Sequence, residues 1–112
     1  MNQPNTIKID DIEYIRADQA VPPQKPARPL TVGNAVFVRT VTLYYTGRVA
    51  EITPESVVLT DAAWIADTGR FSEALRTGTL GEVEPFSLPV EIGRGAIVDV
   101  TTWPHALPRE VK

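Results

Sequence analysis

Apolar and polar residues alternate along most of this chain, and the period is two rather than three to four. Residues 6 to 16 read Thr-Ile-Lys-Ile-Asp-Asp-Ile-Glu-Tyr-Ile-Arg, with Ile7 and Ile9 around Lys8, and Ile12 and Tyr14 around Glu13. Asp10-Asp11 lies between the two runs, and aspartate tolerates the backbone angles of a tight turn. This pattern predicts a hairpin arm over residues 1–18. Pro22, Pro23, Pro26 and Pro29 follow within residues 19–30. Proline fixes φ and removes a ladder donor, so this stretch is expected to be an extended linker.

Residues 35–52 carry the strongest strand signal, with Val36, Phe37, Val38, Val41, Leu43, Tyr44, Tyr45 and Val49. The run is too long for one strand. Arg39-Thr40 is the expected break, and Gly47 the expected bend or bulge. Thr53-Pro54-Glu55-Ser56 predicts a turn. The next strand starts at Val57 and runs towards Trp64-Ile65. Asp67-Thr68-Gly69 then opens a short helix, with Asp67 or Thr68 as its expected cap. Phe71, Ala74 and Leu75 form one apolar stripe, and Gly78 is placed to end the helix. Two further strands are expected over residues 82–92, made irregular or an edge by Pro85 and Pro89, and over residues 95–103. Gly93-Arg94-Gly95 is the tight turn between them. Five core strands with short connections predict a mainly β fold, a small barrel over residues 31–104. The helix is inserted between its strands, and an irregular tail over residues 105–112 follows.

Composition narrows the function more than it specifies it. The 112 residues suit one domain with one core, at 43% hydrophobic and 22% charged. The net charge of −3 lacks the basic footprint of general nucleic-acid binding. The absence of cysteine excludes disulfides and thiol chemistry. No apolar run approaches the roughly 20 residues that span a bilayer, and residues 1–6 lack the apolar core of a signal peptide. The expectation is a cytoplasmic protein with no membrane contact.

Catalytic chemistry finds little to work with. His105 is the sole histidine and has no ligand-spaced partners, so no metal is expected. Asp61 and Asp67 would lie roughly 20 Å apart on an extended strand, too far for joint acid–base work. Ser56, Ser72 and Ser87 lack a nucleophile elbow. Neither catalytic residues nor a cofactor are expected. Arg94 in its glycine turn, with Gly95, is the leading anion-binding candidate, and Tyr45 with Arg48 and Arg39 as basic neighbours is a further ligand-binding candidate on which a base could stack. The alternative for the turn is plain geometry, a glycine needing positive φ. Trp64, Tyr44 and Tyr14 are the interface candidates, and Trp64 or Trp103 should be core or subunit contact. Tyr44 and Tyr45 are adjacent on one strand and so point to opposite faces.

Two resemblances extend this reading. Gly47-Arg48-Val49-Ala50-Glu51-Ile52, followed by Val57-Val58-Leu59-Thr60-Asp61-Ala62, resembles the first half of an Sm-like domain. There a glycine in a bent second strand precedes an apolar-apolar-Leu-x-Asp-Ala strand. Ile92-Gly93-Arg94-Gly95-Ala96-Ile97-Val98 resembles the second half, with Arg-Gly between the last two strands. The resemblance implies a five-stranded barrel that forms a homo-oligomeric ring by pairing edge strands. Many such rings bind RNA. Here the base-reading Asp and Asn have no counterpart in Thr53–Ser56, and Ala96 stands where an Asn follows Arg-Gly. The order of the N-terminal hairpin, proline-rich linker, Val38-Arg39-Thr40 strand and Val-Val-Leu-x-Asp-Ala strand is similar to a group of small bacteriophage and prophage proteins, which implies a phage origin. The leading expectation is a non-enzymatic oligomeric binding protein whose partner is a host protein or a small anionic molecule. The alternatives are a ring that binds RNA or single-stranded nucleic acid, and a virion assembly component.

Overall fold

In a computed structural model the structure describes residues 28–112. The expected hairpin arm, its Tyr14 and most of the proline-rich linker lie outside the described residues. The elements run β1 (Ala35–Thr40), β2 (Tyr44–Ile52), β3 (Ser56–Asp67), α1 (Phe71–Thr77), β4 (Glu82–Pro85), β5 (Val90–Gly93), a 3-10 turn (Arg94–Ala96) and β6 (Ile97–Thr102). The mainly β class, the inserted helix and the Thr53–Ser56 turn match the residue pattern.

All strand pairs are antiparallel, in the order β4-β3-β2-β1-β6, with β5 also on β3. β3 has twelve residues and is long enough to carry β5 along Ser56–Leu59 and β4 along Ala63–Asp67. The expected single strand over 82–92 is therefore two, divided at Phe86–Pro89. Pro85 and Pro89 flank that break and cannot donate to a ladder. The chain break after β1 falls at Val41–Leu43 rather than Arg39-Thr40. Thr40 Oγ1 holds this turn by accepting from the Leu43 amide and donating to the Leu43 carbonyl.

The sheet bends where its register slips. Thr46 pairs with Ala63 and Arg48 with Thr60, so Asp61 and Ala62 together face Gly47. Asp61 takes the bulge with a φ of 49°, a conformation aspartate accepts more readily than branched residues. Gly47 is needed because a Cβ there would sit 3.0 Å from Leu59 Cβ and 3.3 Å from Ala62 Cβ. A second slip between Val49 and Glu51 adds to the bend.

Apolar side chains pack on both faces. On one, Val36, Val38, Val49, Val57, Leu59, Ala62 and Ile92 form a buried cluster, with Leu30, Tyr45 and Val100 against it. Val36 and Ile92 share this core although β1 and β5 are not neighbours in the sheet, so the sheet curls around it. On the other face Phe37, Ala63, Ile65 and Val83 meet Ala74 of α1, Leu80 and Trp103. The curl stops short of a closed barrel. β5 ladders on β3 and β6 on β1, and the three-residue turn between them makes a corner, so no β5–β6 ladder joins the edges. The sheet is open and six-stranded, in place of the expected five-stranded barrel.

One local expectation is corrected. Asp67 and Thr68 do not cap α1, whose N-cap is Arg70 with no side-chain cap. Asp67 Oδ1 instead accepts from the Gly69 amide at 2.7 Å, closing its own turn one step earlier. Gly78 ends the helix as expected, in the left-handed conformation, its amide donating to the Ala74 carbonyl. The segment after β6 has no regular element, yet it is docked. His105 stands edge-on to Trp103, Leu107 packs on the second cluster, and Arg109 donates to the Ala62 and Phe86 carbonyls.

Thr46 introduces a defect in this packing. Its hydroxyl is fully buried on β2 and has no hydrogen-bond partner among the described residues. An unsatisfied buried polar group costs about 1–3 kcal/mol, and valine has nearly the same shape. Thr46→Val is expected to stabilise the domain by about 1 kcal/mol in urea unfolding. A loss of stability would show that the hydroxyl has a partner.

Candidate functional site

The Arg94-Gly95 turn lies against the β2–β3 turn. The Arg94 amide donates to the Glu55 carbonyl at 2.9 Å, and Arg94 Nη1 to the Thr53 carbonyl at 3.0 Å. Thr53 Oγ1 orders the opposing turn by accepting from the Ser56 and Glu55 amides. Ser56 Oγ donates to Glu91 Oε2 at 2.7 Å. Two turns far apart in sequence thus form one surface, with Glu55 and Glu91 on it beside Arg94. The guanidinium helps hold the turns together, and the neighbouring carboxylates oppose a bound anion. The glycines do not need positive φ. Gly93 is extended at φ −63°, neither glycine is in the left-handed region, and a Cβ on either would meet nothing.

The other arginines stand elsewhere. Arg48 Nη1 donates to the Gly33 carbonyl at 2.9 Å, beside the start of β1. Arg39, at the other end of β1, donates through Nε to Asp99 Oδ1 at 2.9 Å and through Nη2 to Asp99 Oδ2. Its guanidinium also lies 5.0 Å from the Phe71 ring centre. The fork from Arg39 holds the Asp99 carboxyl below the usual carboxylate range, and Asp99 raises Arg39 in return. Arg39, Arg48 and Arg94 each have a local partner and do not converge on one pocket.

The aromatic candidates divide by face. Tyr45 packs on the first core and has Phe86 at 6.2 Å, whereas Tyr44 lies across the sheet near Phe37 at 5.9 Å. Trp103 is core. Trp64 is 37% exposed on β3 and lines a shallow recess of about 290 Å³ with Val41, Leu43 and Tyr44. Val98 on β6 is 60% exposed. His105 Nε2 lies 2.7 Å from the Leu75 carbonyl. A carbonyl only accepts, so Nε2 carries the proton and the ring serves as a helix-end brace. Among the described residues no cluster of three His, Cys, Asp or Glu could hold a metal. None of the described helices is long and apolar enough to cross a membrane.

Sequence reasoning missed Arg109 as a structural residue. It lies in a proline-flanked tail, and its carbonyl partners Ala62 and Phe86 are invisible to any local pattern. No protein-family model, curated protein or solved structure matches the chain.

Proposed function

We propose that the chain is a non-enzymatic, self-associating interaction protein of Sm-like architecture. The observation that carries this reading is the open sheet, whose outer β5 and β6 edges have no partner strand among the described residues. Unpaired edges bind strands, and natural proteins normally blunt them with charge, proline or a cover. Here β6 bears exposed Val98 instead, and Val41, Leu43, Tyr44 and Trp64 add exposed apolar area. The bent β2 around Gly47 and the Arg94-Gly95 turn before the last strand also fit the Sm-like pattern. A copy adding its β5 edge to the β6 edge of the next makes a head-to-tail contact, which closes into a ring when the rotation permits. A host protein is the better further partner. A small anion is disfavoured because the three arginines are already engaged.

Native mass spectrometry of the full chain is expected to give one defined oligomer at micromolar concentration. Val98→Lys places a charge on the β6 edge and should shift the population to smaller species. A wild-type monomer at that concentration would remove the reading. A nucleic-acid ring is the second reading, favoured only by the Arg94-Gly95 turn against the 53–56 turn. It requires single-strand binding that weakens with salt and with Arg94→Ala, and absence of binding at low salt disposes of it.

A further inference from the structure

The sheet has a third outer edge, on β4, and this one is covered. The Val83 amide donates to the Lys112 carbonyl, and the Lys112 amide to the Val83 carbonyl, both at 3.0 Å. In an antiparallel ladder the main-chain groups of successive residues face opposite sides. The Phe86 amide faces β3, where it donates to the Ala62 carbonyl at 2.8 Å. Glu84 and Glu82 therefore face β3 as well, and Val83 and Pro85 face outward. Proline has no N–H, so Val83 carries the one outward donor of β4, and Lys112 takes it. Three residues earlier in the chain, Arg109 spans the end of the same ladder, with Nη1 2.9 Å from the Ala62 carbonyl and Nη2 2.9 Å from the Phe86 carbonyl. Residues 109 to 112 thus run antiparallel to β4.

This cover is thin. Arg109, Glu110, Val111 and Lys112 are all exposed, and an open groove of about 640 Å³ is lined by residues 108–112 together with Gly78–Leu80 and Val83. We propose that residues 108–112 are a strap that shields the β4 edge, and that the latent surface beneath it fits the β4 edge of a second copy. Two bared β4 edges are self-complementary. Antiparallel pairing about a two-fold axis would let each Val83 take the groups that Lys112 holds in the strapped state. While the strap is in place, β4 cannot compete with the β5 and β6 edges, so self-association is confined to one geometry.

The strap acts on β4 whether or not the β5 and β6 edges associate. A monomeric full chain would overturn the ring and leave the strap standing. The test compares the full chain with a variant ending at Leu107, by hydrogen exchange and sedimentation. In the full chain the Val83 amide should be protected. In the shortened chain, diluted until the added pairing is absent, it should exchange about tenfold faster or more and regain protection as concentration rises, while the Val36 and Val38 amides of inner β1 keep their protection and report an intact domain. The shortened chain should also gain a species of twice the parent mass. Arg109→Ala should move both readouts in the same direction by less, and Arg109→Lys should resemble it, because an ammonium lacks the fork that spans two carbonyls. An unprotected Val83 amide in the full chain overturns the proposal. So does an unchanged assembly state in the shortened chain with β1 still protected.

Discussion

Phe37→Ala is expected to destabilise the domain by about 3–5 kcal/mol, the range for truncating a buried phenylalanine. Phe37 is 1% exposed and sits where three elements meet. Its ring lies 5.6 Å from Phe71 of α1, 5.7 Å from Trp103 after β6 and 5.9 Å from Tyr44 of β2. Removing it leaves a cavity under the helix and takes away the surface on which Trp103 packs. A helix of seven residues does not persist without tertiary support, so its signal should fall together with the sheet's. Urea unfolding followed by far-UV circular dichroism and by tryptophan fluorescence measures this. Phe37→Leu retains part of the volume and should cost less than half as much. A Phe37→Ala loss below about 1 kcal/mol would mean that the helix and Trp103 do not pack on β1.

Gly78→Ala is the second large effect, expected at about 2–5 kcal/mol, because two separate costs add there. Gly78 has a φ of +80°, where an L-residue loses about 1–2 kcal/mol. Its new Cβ would also lie 2.7 Å from His105 Cγ and 2.9 Å from His105 Cβ. His105 is held between Trp103 and the Leu75 carbonyl, so it has little room to retreat, and overpacking costs a further 1–3 kcal/mol or so. Gly69→Ala is the control. Gly69 has a φ of +68°, and a Cβ there would meet nothing within 4 Å, so the substitution should show the backbone cost alone. Equal losses at the two glycines would mean that His105 does not press on the helix end. Adding His105→Ala to Gly78→Ala should recover the part of the steric cost due to the ring, the contact with the Cβ of residue 105 remaining.

The local features of the fold were readable because their causes are local. Runs of apolar, β-branched and aromatic residues marked the stretches that hold the strands, although 82–92 was expected as one strand and is two. The Phe71, Ala74 and Leu75 stripe marked the helix, and Gly78 its end, since a left-handed cap is a property of one residue. The bend at Gly47 was visible for a similar reason, although the bulge it accommodates is at Asp61, across the ladder. Errors began where two adjacent signals competed. Asp67 and Thr68 look like caps, but Asp67 bonds first to Gly69. Residues 82–92 look like one strand until Pro85 and Pro89 each remove a donor.

Side-chain partners were not legible, because a charged residue's role depends on what the chain brings beside it. Arg39, Arg48 and Arg94 are all candidate ligand contacts along the sequence. Folding pairs the first with Asp99, from sixty residues away, and turns the other two onto main-chain carbonyls of Gly33 and Thr53. Arg109 carries no local sign of its place on the β3–β4 ladder. By itself, then, the sequence determined the β class, several of the turns and the helix, since period, turn chemistry and composition act over a few residues. Only the tertiary structure decided that the sheet stays open, that Lys112 pairs with one of its edges and that two edges have no partner strand among the described residues. Edge pairing is a contact between segments distant in the chain, and backbone hydrogen bonding leaves no mark on residue type.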